Sequence, residues 1–254
     1  MKILYLTVFV ACGVPSTVAA ALLPASRAVT ALAQTSLTPD PDALYAERED
    51  PDKARSAVEI WQARAAADPT DFESTWKVAR AMYWIGSHGP KEARRADLEV
   101  GMKAAREAIA LNENRPEGHF WLAATMGKLA EDSRMAGLRY RGAIKEELET
   151  VLRLDPAFQQ GSADRALGRW YYRVPGLFGG SKEKSEQHLR QSLKYNPNST
   201  ATLFFLAETL IALDRKEEAR TTLEKLLAAP ADSEWGPEDR EFKAAGSKLR
   251  GDLE

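Results

Sequence analysis

Three arginines, Arg165, Arg169 and Arg173, recur at intervals of four residues, the spacing that stacks side chains along one helical face. A guanidinium is a planar, permanently charged fork of donors, so such a ladder suits a carboxylate or a phosphate. The competing reading is a solvated wall on which these arginines pair with neighbouring glutamates such as Glu208. Other reactive residue types offer less. His88, His119 and His188 stand far apart and in no ligand spacing such as HExxH, so they read as solvent-facing or groove histidines. Cys12 is the only cysteine, which excludes an intrachain disulfide and a thiolate zinc site. The stretch Gly176-Leu177-Phe178-Gly179-Gly180-Ser181-Lys182 has the glycines of a phosphate loop but neither Walker spacing nor a preceding strand. A glycine hinge with Ser181 capping the next helix accounts for it, and Leu177 and Phe178 are left to cover a groove or enter a neighbouring subunit. Carboxylates cluster only on charged faces such as Lys145-Glu146-Glu147, and no nucleophile, base and orienting group assemble by spacing. A non-catalytic protein without metal or cofactor is expected.

The residues that position these groups belong to a chain of 254, with 44% hydrophobic and 28% charged positions, enough for a sizeable core. Lys and Arg total 35 against 37 acidic residues, net −2. A nucleic-acid binder would need a basic surface, so nucleic acid is not an expected partner. Lys2, the apolar run Ile3 to Ala11 and the small-residue stretch to Ala33 read as a secretory signal peptide over 1–33. Residues 34–41 then form a polar linker, and 42–254 the folded domain. Phe9-Val10-Ala11-Cys12 offers a second address, lipidation at Cys12. Either reading places the protein outside the cytoplasm, in the periplasm or cell envelope, and membrane contact is expected only through such an anchor.

From Asp42 onward apolar residues recur at three and four, in sequence rich in Ala, Leu, Glu, Lys and Arg, and no strict alternation is present. An all-α domain follows. Four segments share one ending, at Asp68-Pro69, Leu111-Asn112, Asp155-Pro156 and Asn196-Pro197. Four others share a small residue behind a branched apolar one, with a large residue three later: Val78-Ala79-(x2)-Met82, Leu122-Ala123-(x2)-Met126, Leu167-Gly168-(x2)-Tyr171 and Leu206-Ala207-(x2)-Leu210. The small position lets two helix backbones approach closely and the large one fills the adjoining hole. Five helix pairs follow: 42–48 with 52–67, 71–87 with 94–111, 117–132 with 138–154, 162–173 with 181–194, and 201–213 with 216–228. Residues 237–253 form a closing helix. Longer interruptions are expected near 86–93, 131–137 and 174–180.

This pattern resembles the tetratricopeptide repeat (TPR), a helix-turn-helix unit of about 34 residues that stacks into an α-solenoid. Through Gly118-His119-Phe120-Trp121-Leu122-Ala123, Leu167-Gly168-Arg169-Trp170-Tyr171-Tyr172, the Val174 to Gly180 loop and Ser181-Lys182-Glu183-Lys184-Ser185, the chain also resembles two TPR families, over roughly 50–230 and specifically around 117–197: the T component associated with tripartite periplasmic (TRAP) solute transporters and the regulator-of-microtubule-dynamics group. With the bacterial-type leader, the first is the nearer expectation. The resemblance implies that the first helix of each pair lines a concave groove. Its spacing selects Trp76, Arg80, Tyr83 and Trp84, then Phe120, then Arg165, Arg169, Tyr172 and Arg173, and finally Phe204 and Glu208. The same geometry sends Trp121, Trp170 and Tyr171 to the core. An aromatic and basic groove would take a small anionic or apolar ligand, or an acidic segment of a protein partner. The family resemblance implies an accessory component of periplasmic solute transport that docks a solute-binding protein; the alternative is an envelope adaptor without solute contact. An oligomer is left open.

Overall fold

The computed structural model describes residues 39–132 and 134–253, with the side chain of residue 134 excepted. The proposed leader at 1–33, Cys12 and most of the proposed linker lie outside the described residues. Among the described residues eleven α-helices follow one another: α1 (Pro41–Ala46), α2 (Pro51–Ala67), α3 (Phe72–His88), α4 (Lys91–Leu111), α5 (Pro116–Glu131), α6 (Arg134–Leu154), α7 (Phe158–Arg173), α8 (Lys182–Tyr195), α9 (Thr200–Ala212), α10 (Lys216–Ala228) and α11 (Gly236–Gly251). They form the expected five hairpins and a closing helix, and no strand occurs among the described residues.

The repeated endings have one physical cause. At each, an Asx side chain accepts from the backbone N–H two residues on: Thr70 to Asp68 (2.9 Å), Asn114 to Asn112 (3.1 Å), Ala157 to Asp155 (2.9 Å) and Asn198 to Asn196 (2.9 Å). This turn satisfies a backbone donor that a helix exit would leave orphaned. Helix starts are as explicit. Asp40, Asp50, Asp71, Ser181 and Ser199 each accept from a first-turn N–H, and proline opens α1, α2 and α5.

The small positions do what their size requires. Ala79, Ala123 and Ala207 are at most 2% exposed, and a Cβ on Gly168 would stand 2.5 Å from Leu189 Cγ. Their large companions Met82, Met126, Tyr171 and Leu210 are all buried. The apolar core falls into two clusters, one from Tyr45 to Leu167 and one from Leu189 to Leu226. Hydroxyl pairs lie at the α8–α9 contact, where Ser185 meets Thr209 at 2.9 Å and Ser192 meets Thr202 at 3.2 Å.

Two of the three expected interruptions are shorter than expected. Residues 86–93 and 131–137 are largely absorbed by longer helices, because α3 runs to His88, α4 starts at Lys91 and α6 starts at Arg134. Only 174–181 stays open, as a 3-10 turn at Gly176–Phe178 followed by left-handed Gly179. Gly180 there packs so closely on the Val174 carbonyl that no Cβ fits. The start of α7 is also unusual. Gln159, Gln160 and Gly161 have positive φ, so regular helix begins at Ser162.

Candidate functional site: a chamber on the concave face

The first helices of the pairs, α3, α5, α7 and α9, present one face to a cavity of about 730 Å³. Its far wall is the closing segment, from Pro230 through Phe242. That segment is tied back to the first hairpin. Arg48, 5% exposed, donates to the Glu234 carbonyl (2.9 Å) and pairs with Glu238 (2.5 Å); Arg240 pairs with Glu49 and His88 with Glu241 (3.0 Å). Trp84 Nε1–H in turn donates to the Arg48 carbonyl (2.8 Å), and the Arg48 guanidinium lies 4.9 Å from its ring. On the other side Gln160, in the kinked entry to α7, donates to Asp232 (3.3 Å), and Thr200 donates to Asp239 (2.5 Å). The concave face is therefore a chamber whose two ends meet.

Of the residues selected by repeat spacing, Tyr83, Trp84, Phe120, Arg165 and Arg169 line this chamber together. Trp76 and Arg80 do not. Arg80 sits in an aromatic box of the first two pairs, 4.3 Å from the Tyr45 ring centre and 5.0 Å from Trp76, with Asp42 at 3.6 Å. Trp76 donates to Glu73 (3.0 Å). Tyr172 carries Lys182 over its ring at 3.7 Å, Arg173 is exposed, and Phe204 packs edge-on against Phe205. The four-residue arginine ladder divides into three fates. Arg169 is held by Glu208 at 2.5 Å and lies 4.6 Å from the Phe205 ring, which is the paired reading of that residue. Arg173 points to solvent. Arg165 alone is half-buried in the chamber wall without an ion pair to any described residue.

Burial lowers the Arg165 pKa to about 10, against the opposing fields of Tyr83 and Glu238, so it remains a cation at neutral pH. The phenol of Tyr83 is pushed up to about 12 by burial, with Glu131 adding to it. Around the guanidinium the wall is aromatic: Tyr83 lies 5.6 Å from Trp121, and Trp121 packs edge-on to Phe120 at 5.1 Å. Trp121 is core, 4% exposed, as expected, and it also faces the chamber. Repeat spacing missed Tyr45, Phe205, Trp235 and Phe242. Phe205 lies two places before the small Ala207, a usable signal, whereas Trp235 and Phe242 come from the closing segment.

The histidines correct their sequence reading. Each bridges two helices to a carboxylate: His119 to Glu147 (2.6 Å), His188 to Asp164 (2.7 Å) and His88 to Glu241. No group of three or more His, Cys, Asp or Glu placed to hold a metal exists among the described residues, and none of their helices is long and apolar enough to cross a membrane.

No curated protein sequence matches the chain significantly. Among solved structures it is similar to a thermophilic TPR protein of Thermus thermophilus, with a TM-score of 0.61, 18% identity, and coverage of 82% of this chain and 96% of that one. It is also similar to a MamA fragment from Desulfovibrio magneticus RS-1, with a TM-score of 0.49, 16% identity, and coverage of 74% and 94%. The first likeness carries the fold, an all-α TPR solenoid, and a tetratricopeptide-repeat profile matches residues 183–236. The profile described as regulator of microtubule dynamics protein 1-3 matches residues 39–178, more than half of the chain, including Tyr83, Phe120, Trp121 and Arg165 of the chamber wall, and the chain belongs to that family.

Proposed function

We propose that the protein is a non-catalytic binding module that holds, in its chamber, a ligand or partner segment bearing an anionic group and an apolar body. The observation that carries this reading is Arg165, a half-buried guanidinium without an ion-pair partner among the described residues, set in an aromatic wall. A charge withdrawn from water without a partner is unfavourable, and a carboxylate or phosphate oxygen entering the chamber would relieve that cost. The aromatics would take the apolar part by stacking and burial. Catalysis has no support in the geometry, since the chamber's carboxylates are occupied: Glu131 by Lys128, Asp232 by Gln160 and the Glu234 N–H, Glu238 by Arg48 and Asp239 by Thr200. TPR scaffolds serve as binding surfaces, which fits the same reading.

The finer part of the proposal is export and docking of a solute-binding protein of a transport system. It rests on the leader-like residues 1–33 and on the resemblance around 117–197. Native mass spectrometry of the purified chain tests the chamber. The wild type should retain a non-covalent small molecule or peptide, and Arg165→Gln should lose it while keeping its helical circular dichroism. An empty wild type that still captures an envelope protein would favour the adaptor reading instead.

A further inference from the structure

Away from the chamber, the start of α6 and the turn between α7 and α8 combine exposed apolar side chains with an excess of positive charge. Among the described residues seven large apolar side chains are exposed; Met135 (75%) and Leu138 (39%) lie in the first turns of α6, and Leu177 (90%) and Phe178 (40%) in the turn that joins α7 to α8. They touch: the Arg141 guanidinium lies 5.2 Å from the Phe178 ring centre and donates to the Leu138 carbonyl (2.6 Å), and Trp170 donates to the Arg141 carbonyl (2.9 Å). Met135 lies one helical turn before Leu138, on its face.

The charge around this apolar tip is one-sided. Residues 134–145 hold four cations and no acid, and residues 169–184 hold four cations and one acid, in a chain of net −2. Arg139, Arg173 and Lys184 are exposed, and none forms an ion pair with a described residue, whereas the nearby acids Glu131 and Asp132 are taken by Lys128 and Arg94. Lys182 has its pKa lowered by burial and then by Arg169 and Arg173, a sign of crowded positive charge. The tip itself protrudes: Leu177 stands on a 3-10 turn between glycines, and neither the chamber nor the small cleft between Arg48 and Trp235 lies beneath it.

We propose that this edge docks on an anionic bilayer surface, Leu177 and Phe178 entering the headgroup region while Arg139, Arg173 and Lys184 face acidic lipid. A protein partner would have to offer a pocket for an exposed apolar turn, whereas a fluid interface accepts one directly, and exposed cations in the segments that carry the apolar residues are the charge pattern that an acidic leaflet attracts. This contact is additional to any anchor in residues 1–33, and it is independent of what the chamber holds.

Vesicle flotation of the full chain tests it, using phosphatidylcholine alone and phosphatidylcholine with about one third phosphatidylglycerol. Any contribution of residues 1–33 is common to all variants, so the readout is the difference between variants on the same vesicles. Wild type should prefer the anionic vesicles, with binding weakened by added salt. Both Leu177→Ser with Phe178→Ser and Arg139→Glu with Lys184→Glu should lower that binding about tenfold, with circular dichroism unchanged. Equal binding to both vesicle types, or unaltered binding by both variants, overturns the proposal. So does a change of oligomeric state in the apolar variant without a change in flotation, which would assign the edge to contact between copies of the chain.

Discussion

His119 shows how far a single side chain can be followed into stability. Its imidazole reaches Glu147 at 2.6 Å and the Glu113 carbonyl at 3.0 Å, and these contacts, Glu147 first, raise its pKa above the ordinary 6.5 despite burial. A folded-state pKa above the unfolded one means that the stabilisation is fully present below about pH 6.5 and is lost as pH rises through the elevated folded value. Thermal unfolding across this window should show wild type losing about 1 kcal/mol relative to His119→Gln as the imidazole deprotonates. Parallel pH curves for the two would refute the assignment. The sequence offered no route to this pair, because the partners are 28 residues apart on helices whose facing sides are set by packing.

Elements were the most legible level. The Asx endings and the small-large pattern sit on helix termini and helix contacts, and both depend on short-range geometry that a local stretch of sequence carries complete. Turn lengths were less legible. The interruptions near 86–93 and 131–137 contain Gly, His and Pro or acidic residues that locally weaken helix, yet burial of Ile85 and Leu129 extends the flanking helices through much of them. The kink at the start of α7 was invisible for a similar reason: three successive left-handed residues are held by packing against α8. Gly161 has φ of +76°, and an added Cβ would meet Tyr195 at 2.7 Å and Ser192 Cα at 3.2 Å. Gly161→Ala should therefore cost about 1–2 kcal/mol in urea unfolding. It should also loosen the Gln160 contacts that tie the α7 entry to Asn196 and Asp232. A neutral substitution would mean that the left-handed turn relaxes freely.

At the scale of the whole molecule, the decisive feature is that the two ends of the solenoid meet. Repeat spacing placed five of the eleven selected residues on the chamber wall, since the inward face of a first helix is a property of the repeat. It could not anticipate Trp235 and Phe242, nor the ties from Arg48 to Glu238 and from Arg240 to Glu49, which join residues about 190 positions apart. Nothing local encodes that return; it follows from the accumulated rotation of successive hairpins. The chamber, the isolation of Arg165 and the proposed ligand all depend on it. The most direct test is a spin-label distance across the closure, in a Cys12→Ser background with Ala46→Cys and Ser233→Cys, two exposed positions that border the same small cleft of about 140 Å³. A closed ring predicts one short, narrow distance in solution. A long or broad distribution would contradict it, leaving an open groove in place of the chamber.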